Sequence, residues 1–101
     1  MKSIHKVTLL IADEQRVKLP TIARAVAVQV QRGYISMWAE VETSAPLRTY
    51  QVLTRGTGHP VPSGYAYLGT YQIDDGALVF HVYVEPDLTF PILGPQKEMQ
   101  S

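Results

Sequence analysis

The chain has 101 residues, nine Lys and Arg against nine Asp and Glu, no cysteine, and 46% hydrophobic content. That is one domain's worth of folded chain, with enough apolar surface for a core and too little charge for disorder. Without cysteine there is no disulfide frame, no thiolate metal site and no Cys nucleophile. A formal net charge of zero leaves no basic footprint for nucleic acid.

The start, Met1-Lys2-Ser3-Ile4-His5-Lys6, carries no apolar core of a signal peptide. No apolar run approaches the roughly 20 residues of a membrane helix. The expectation is a cytoplasmic protein with no membrane partner and no cofactor. A modest core makes oligomerisation a natural supplement, so a homo-oligomer is expected.

The first strand is expected from Ile4 to Ile11, with His5, Val7, Leu9 and Ile11 on one face. Asp13-Glu14-Gln15 reads as a polar turn, and Arg16 to Leu19 alternates again up to Pro20. Ile22 to Gln31 has helix-like alanines, but Val26, Val28 and Val30 recur at period two, which favours a strand. Arg32-Gly33 forms a two-residue hairpin loop before Tyr34 to Glu42. In that strand Ile35, Met37, Ala39 and Val41 face inward, and Trp38 faces outward between Ser36 and Glu40.

Leu47 to Arg55 is a strand of mixed faces. Tyr65 to Ile73 places Tyr65, Tyr67, Tyr71 and Ile73 on one face, with Gly69 marking a bulge or a close backbone approach. Asp74-Asp75-Gly76 is a hairpin turn, and Ala77 to Glu85 puts Leu78, Phe80, Val82 and Val84 inward against Val79, His81 and Tyr83. The predicted fold is all-β: a small antiparallel sandwich or partly open barrel of about seven strands. A β domain over residues 1–86 is followed by an extended tail over 87–101, where Leu88, Phe90, Ile92 and Leu93 sit among prolines. So apolar a tail is expected to dock on its own domain or on a neighbouring subunit.

The densest chemistry lies in Arg55-Gly56-Thr57-Gly58-His59-Pro60-Val61-Pro62. Amides around Gly56 and Gly58, with the Thr57 hydroxyl and the Arg55 guanidinium, fit an anion-binding nest. The same glycines fit a tight inter-strand connection with no ligand at all, and both readings stand at this point. The loop is not followed by the helix that a dinucleotide fingerprint or P-loop requires. His5, His59 and His81 lack metal-motif spacing, so no metal is assigned. Acid–base work through one histidine with Tyr83 or Asp75 is conceivable, and an enzyme is the less favoured class. Trp38 and the tyrosines suit either interface packing or stacking on a planar ligand.

Ile4-His5-Lys6, Trp38-Ala39-x-Val41, Gly56-Thr57-Gly58-His59-Pro60-x-Pro62, Tyr67-Leu68-Gly69-Thr70 and Gly76-Ala77-Leu78-Val79-Phe80-His81-Val82-Tyr83 occur in that order. Together, to about Glu85, they resemble a family of small, largely uncharacterised proteins encoded by bacteriophages and prophages. The resemblance implies a phage origin, hence an infected bacterial host, and weight on His5, Trp38, loop 56–59, Gly69, Thr70 and His81. It implies no established reaction. The resulting expectation is a non-catalytic binding protein that sequesters a small anionic or nucleotide-like ligand, such as a host immune signal. Its binding residues would be Arg55, Gly56, Thr57, Gly58, His59, Trp38, Thr70, His81 and Tyr83. The alternatives are a phage structural or accessory protein, or blocker of a host protein, acting through protein contacts, and a hydrolase using His59 and His81.

Overall fold

A computed structural model describes residues 1–89. Seven strands follow in order: β1 (Lys2–Leu9), β2 (Glu14–Pro20), β3 (Ala23–Gln31), β4 (Tyr34–Glu42), β5 (Leu47–Gly56), β6 (Ala66–Ile73) and β7 (Leu78–Val84). They form two antiparallel sheets, ordered β1-β4-β3 and β2-β5-β7-β6. The sheets pack as a sandwich and do not close into a barrel. Among the described residues no helix is long and apolar enough to cross a membrane.

Alternation builds the core as expected in β4, where Ile35, Met37, Ala39 and Val41 are buried. Opposite them, Val17 and Leu19 of β2, Tyr50 and Val52 of β5, and Val82 and Val84 of β7 close the other side. Pro86–Leu88 forms a short 3-10 turn that buries Leu88 in the same core. Arg48 ties that turn to the start of β5, reaching Glu85 at 2.5 Å and Asp87 at 3.0 Å. The docking expected of Phe90, Ile92 and Leu93 falls outside the described residues.

The polar turn expected at Asp13-Glu14-Gln15 gives way to strand, since β2 already begins at Glu14, but the two hairpin turns are as read. Arg32 and Gly33 both take positive φ, 52° and 83°, as a two-residue hairpin with the strands' own twist requires. Asp74, Asp75 and Gly76 do the same at the β6–β7 hairpin. The first strand begins earlier than expected and ends at Leu9, leaving Leu10 and Ile11 exposed. Gln15 stops it there: its amide group accepts from Leu10 N and donates to Leu10 O, both at 2.8 Å.

Two bulges overturn face assignments made from unbroken alternation. In β3 the register shifts between Ala25 and Ala27, so Val26 is an extra residue and is exposed, while Ala25 and Val28 are buried. In β6 the shift falls between Tyr67 and Gly69, with Leu68 as the extra residue. One inserted residue reverses every later side chain on a strand. Tyr67 therefore pairs with Tyr83 on the outer face, and Tyr71 pairs with Phe80 on the inner one. The tyrosines do not share a face. Gly69 serves the close approach as well as the bulge: a Cβ there would lie 2.8 Å from Val28 Cγ1 across the two sheets.

Candidate functional site

β5 and β6 both run antiparallel to β7, which lies between them, so they are parallel to each other. Their connection, residues 57–65, must travel back along the sheet. It does so over the outer face. Tyr65 returns to donate its hydroxyl to Gln51 Oε1 of β5 at 2.6 Å, and Leu53 on the outer register is covered to 6% exposure. The glycine-rich segment is thus the first part of a strap laid across the sheet.

Gly56 O accepts from His59 N at 3.1 Å, closing a four-residue turn. Gly58, its third residue, has φ 94°, the position where a type II turn needs glycine. The His59 amide is therefore spent on the turn. The Gly58 amide has no hydrogen-bond partner among the described residues, whereas the Thr57 amide faces β7 beyond the Gly56–Phe80 pair of the ladder. Gly58 is thus required by the turn geometry, and its own amide remains unpartnered among the described residues.

Beneath the strap, one row of the outer face runs Thr70, His81, Arg55 across β6, β7 and β5. The bulge at Leu68 is what places Thr70 there; without it Thr70 would point into the core. The His81 ring is held from both sides. Its Nδ1 lies 2.9 Å from Thr70 Oγ1, and its Nε2 lies 2.9 Å from Thr57 Oγ1. Thr70 Oγ1 is in turn 2.5 Å from the Tyr67 hydroxyl. The Tyr67 ring packs edge-on against Tyr83 at 5.7 Å. An unbroken chain of polar atoms thus links Tyr67, Thr70, His81 and Thr57, from sheet to strap.

Strap and sheet enclose a cup of about 230 Å³. Arg55, His81 and Tyr83 form its floor; Thr57, Gly58 and His59 form the near wall, and Val61 closes it. Arg55 Nη1 donates to the carbonyls of Asp13 and Thr54, each at 2.9 Å. Its Nε and Nη2 have no partner among the described residues. On the other side of Arg55 and His59 lies a recess of about 430 Å³, bordered by Asp13, Glu14 and the Pro60-Val61-Pro62 run.

Eight of the nine sequence-chosen residues meet at this place: Arg55, Gly56, Thr57, Gly58, His59, His81 and Tyr83 border the cup, and Thr70 supports it through His81. Trp38 does not join them. Its neighbours Met37 and Ala39 are fully buried, so the indole points outward from the three-stranded sheet. His81 points outward from the four-stranded sheet, beside fully buried Val82. The whole core separates the two rings. Trp38 instead shares a shallow apolar depression with Ile4, Val26, Ala27 and Gln29. His5 stands exposed on β1, also in the three-stranded sheet. Sequence reasoning missed Tyr67, whose hydroxyl completes the polar chain. The signal was Gly69, since a bulge beside it separates Tyr67 from Tyr71.

Residues 1–89 match the model of a protein family, Domain of unknown function (DUF7352). The chain belongs to the DUF7352 family. No curated protein matches it, and no solved structure does. The DUF7352 match ends where the Pro86–Leu88 turn closes the sandwich, so strap, cup and polar chain all lie within it.

Proposed function

We propose that this DUF7352 chain is a phage-encoded binding protein that captures a small anionic, nucleotide-like ligand in the cup and so sequesters a host signal. The observation that carries the reading is the convergence of the Arg55 guanidinium, the His59 imidazole and the Gly58 amide beneath the strap, beside the Thr57–His81 pair. Such donors match the oxygens of a phosphate. The cup falls short of the roughly 300 Å³ at which small-molecule sites begin, so it takes the anionic group alone. The planar and sugar portions extend past His59 into the neighbouring recess. There Asp13 and Glu14 can accept from ribose hydroxyls or base amino groups, and they repel additional phosphates. Ligands presenting one accessible phosphate are therefore favoured over polyphosphates. Tyr83, not Trp38, is the ring at hand.

The test is thermal unfolding against a panel of cyclic mononucleotides, ADP-ribose derivatives, nucleoside triphosphates and inorganic phosphate. Stabilisation should rise with concentration, reaching about 2.7 kcal/mol at a hundredfold excess over Kd, and should vanish in Arg55→Ala. A flat response throughout rejects the reading.

A second reading is favoured by the outer face of the other sheet, where Ile4 is 63% exposed beside Val26 and Trp38. This patch suits self-association into the homo-oligomer that the small core invites. Sedimentation equilibrium would then give an oligomer for the native chain and a monomer for Trp38→Glu. A monomeric native chain rejects it.

A further inference from the structure

We propose that Thr57 is a nucleophile, with His81 as its general base, and that the cup accepts an activated acyl group. The inference rests on the reading of the cup as a ligand site and takes it from holding to reacting, against the non-catalytic expectation drawn from the sequence. That expectation weighed His59 with His81. The structure instead pairs His81 with a hydroxyl that borders the cup.

Nucleophilic catalysis by a hydroxyl needs three placements: nucleophile to base, base to an orienting group, and donors for the developing oxyanion. The first is Thr57 Oγ1 to His81 Nε2, 2.9 Å. The second is His81 Nδ1 to Thr70 Oγ1, 2.9 Å, with Thr70 held by Tyr67. A hydroxyl has two acceptor positions. Thr70 Oγ1 can accept from both His81 Nδ1–H and the Tyr67 hydroxyl, leaving Nε2 to accept from Thr57. The donors left for the third requirement are the Gly58 amide, immediately after the nucleophile, and the unpartnered Nε and Nη2 of Arg55, both bordering the cup.

The step balances without a further reactant. Thr57 Oγ1 bonds to the acyl carbon as its proton passes to His81 Nε2. The carbonyl π pair moves onto oxygen. It returns as the bond to the leaving oxygen breaks, and the leaving group departs with that electron pair. His81 gives the proton to the leaving group or to solvent. The product is an ester on Thr57. Water, deprotonated by the same imidazole, can then attack that ester, releasing a carboxylic acid and restoring Thr57. Acyl phosphates combine this reactivity with the anion the cup is proposed to hold.

The experiment is intact-mass and peptide mapping of the native chain after exposure to p-nitrophenyl acetate and to acetyl phosphate. Thr57 should acquire the acetyl group from both. His81→Gln can still hydrogen-bond both threonines but cannot take a proton. It should keep the native melting temperature and lose roughly a hundredfold in acetylation rate. Thr70 is a positioning residue: Thr70→Val should slow the reaction and Thr70→Ser should restore it. Absence of acetyl on Thr57, or an unchanged rate in His81→Gln, overturns the proposal. Two separate readouts distinguish the readings: phosphate-dependent thermal stabilisation of the native chain reports the ligand site, and acetylation of Thr57 by the neutral ester p-nitrophenyl acetate reports the nucleophile. Stabilisation without acetylation overturns the nucleophile alone, and a flat thermal response rejects the ligand site.

Discussion

The Tyr71 hydroxyl shows how much the surroundings of a single atom decide. The residue is 4% exposed, and its hydroxyl makes no hydrogen bond to the described residues. A buried polar atom in that position costs stability, so Tyr71→Phe is expected to stabilise the fold by about 1 kcal/mol in urea unfolding near neutral pH. Burial also raises the Tyr71 pKa above its ordinary value of 10.0. Below that value both folded and unfolded states hold the proton. As pH rises beyond it, the unfolded state releases its proton first, and stability is lost. Tyr50 is shifted in the same direction, first by burial. Tyr71→Phe should therefore reduce the alkaline loss without removing it, and a wider gap between variant and native chain above pH 10 is the signature. Nothing in the sequence marked Tyr71 for this place. By contrast Gly58, His59, Arg55 and His81 were legible, because turn chemistry and residue type alone single them out.

At the scale of elements, strand existence and most turns could be read directly, since alternation and Gly or Asp at loops are local signals. The bulges were only half legible: Gly69 marked the one in β6, but nothing marked the one in β3, and only the partner strands show that Leu68 and Val26 are the extra residues whose insertion reverses the faces. Carrying the alternation unbroken past the β6 bulge was costly, because the inserted residue puts Thr70 on the outer face and Tyr71 on the inner one. Gly69 makes this arrangement possible by letting β6 approach Val28 of β3. Gly69→Ala would press a Cβ to 2.8 Å from the Val28 methyl. Overpacking of this kind costs about 1–3 kcal/mol. The expected result is a lower urea midpoint with unchanged slope, partly restored by adding Val28→Ala. No change in midpoint would mean that the sheets are not in contact there.

For the whole molecule, about seven strands in a sandwich or partly open barrel were legible, but the division into two sheets and the strand order were not. The parallel relation of β5 and β6 across β7 is a non-local outcome, and it turns loop 57–65 from an open tip into a strap. The same global arrangement puts Trp38 behind the core, where no inspection of its own strand could place it. The two outer faces thus carry separate features: a polar cup under the strap on one, and an apolar patch around Trp38 on the other. Ligand capture and self-association are consequently independent. Trp38→Glu is expected to leave any phosphate-dependent stabilisation intact, and Arg55→Ala is expected to leave the oligomeric state intact.

Backbone amide NMR of the chain titrated with a cyclic mononucleotide tests the cup directly. The account predicts saturable shifts at Thr57, Gly58 and His59 and in the Arg55 and His81 side chains, with the Trp38 indole N–H unmoved. Shifts gathered around Trp38, or none at any of these groups, would contradict it.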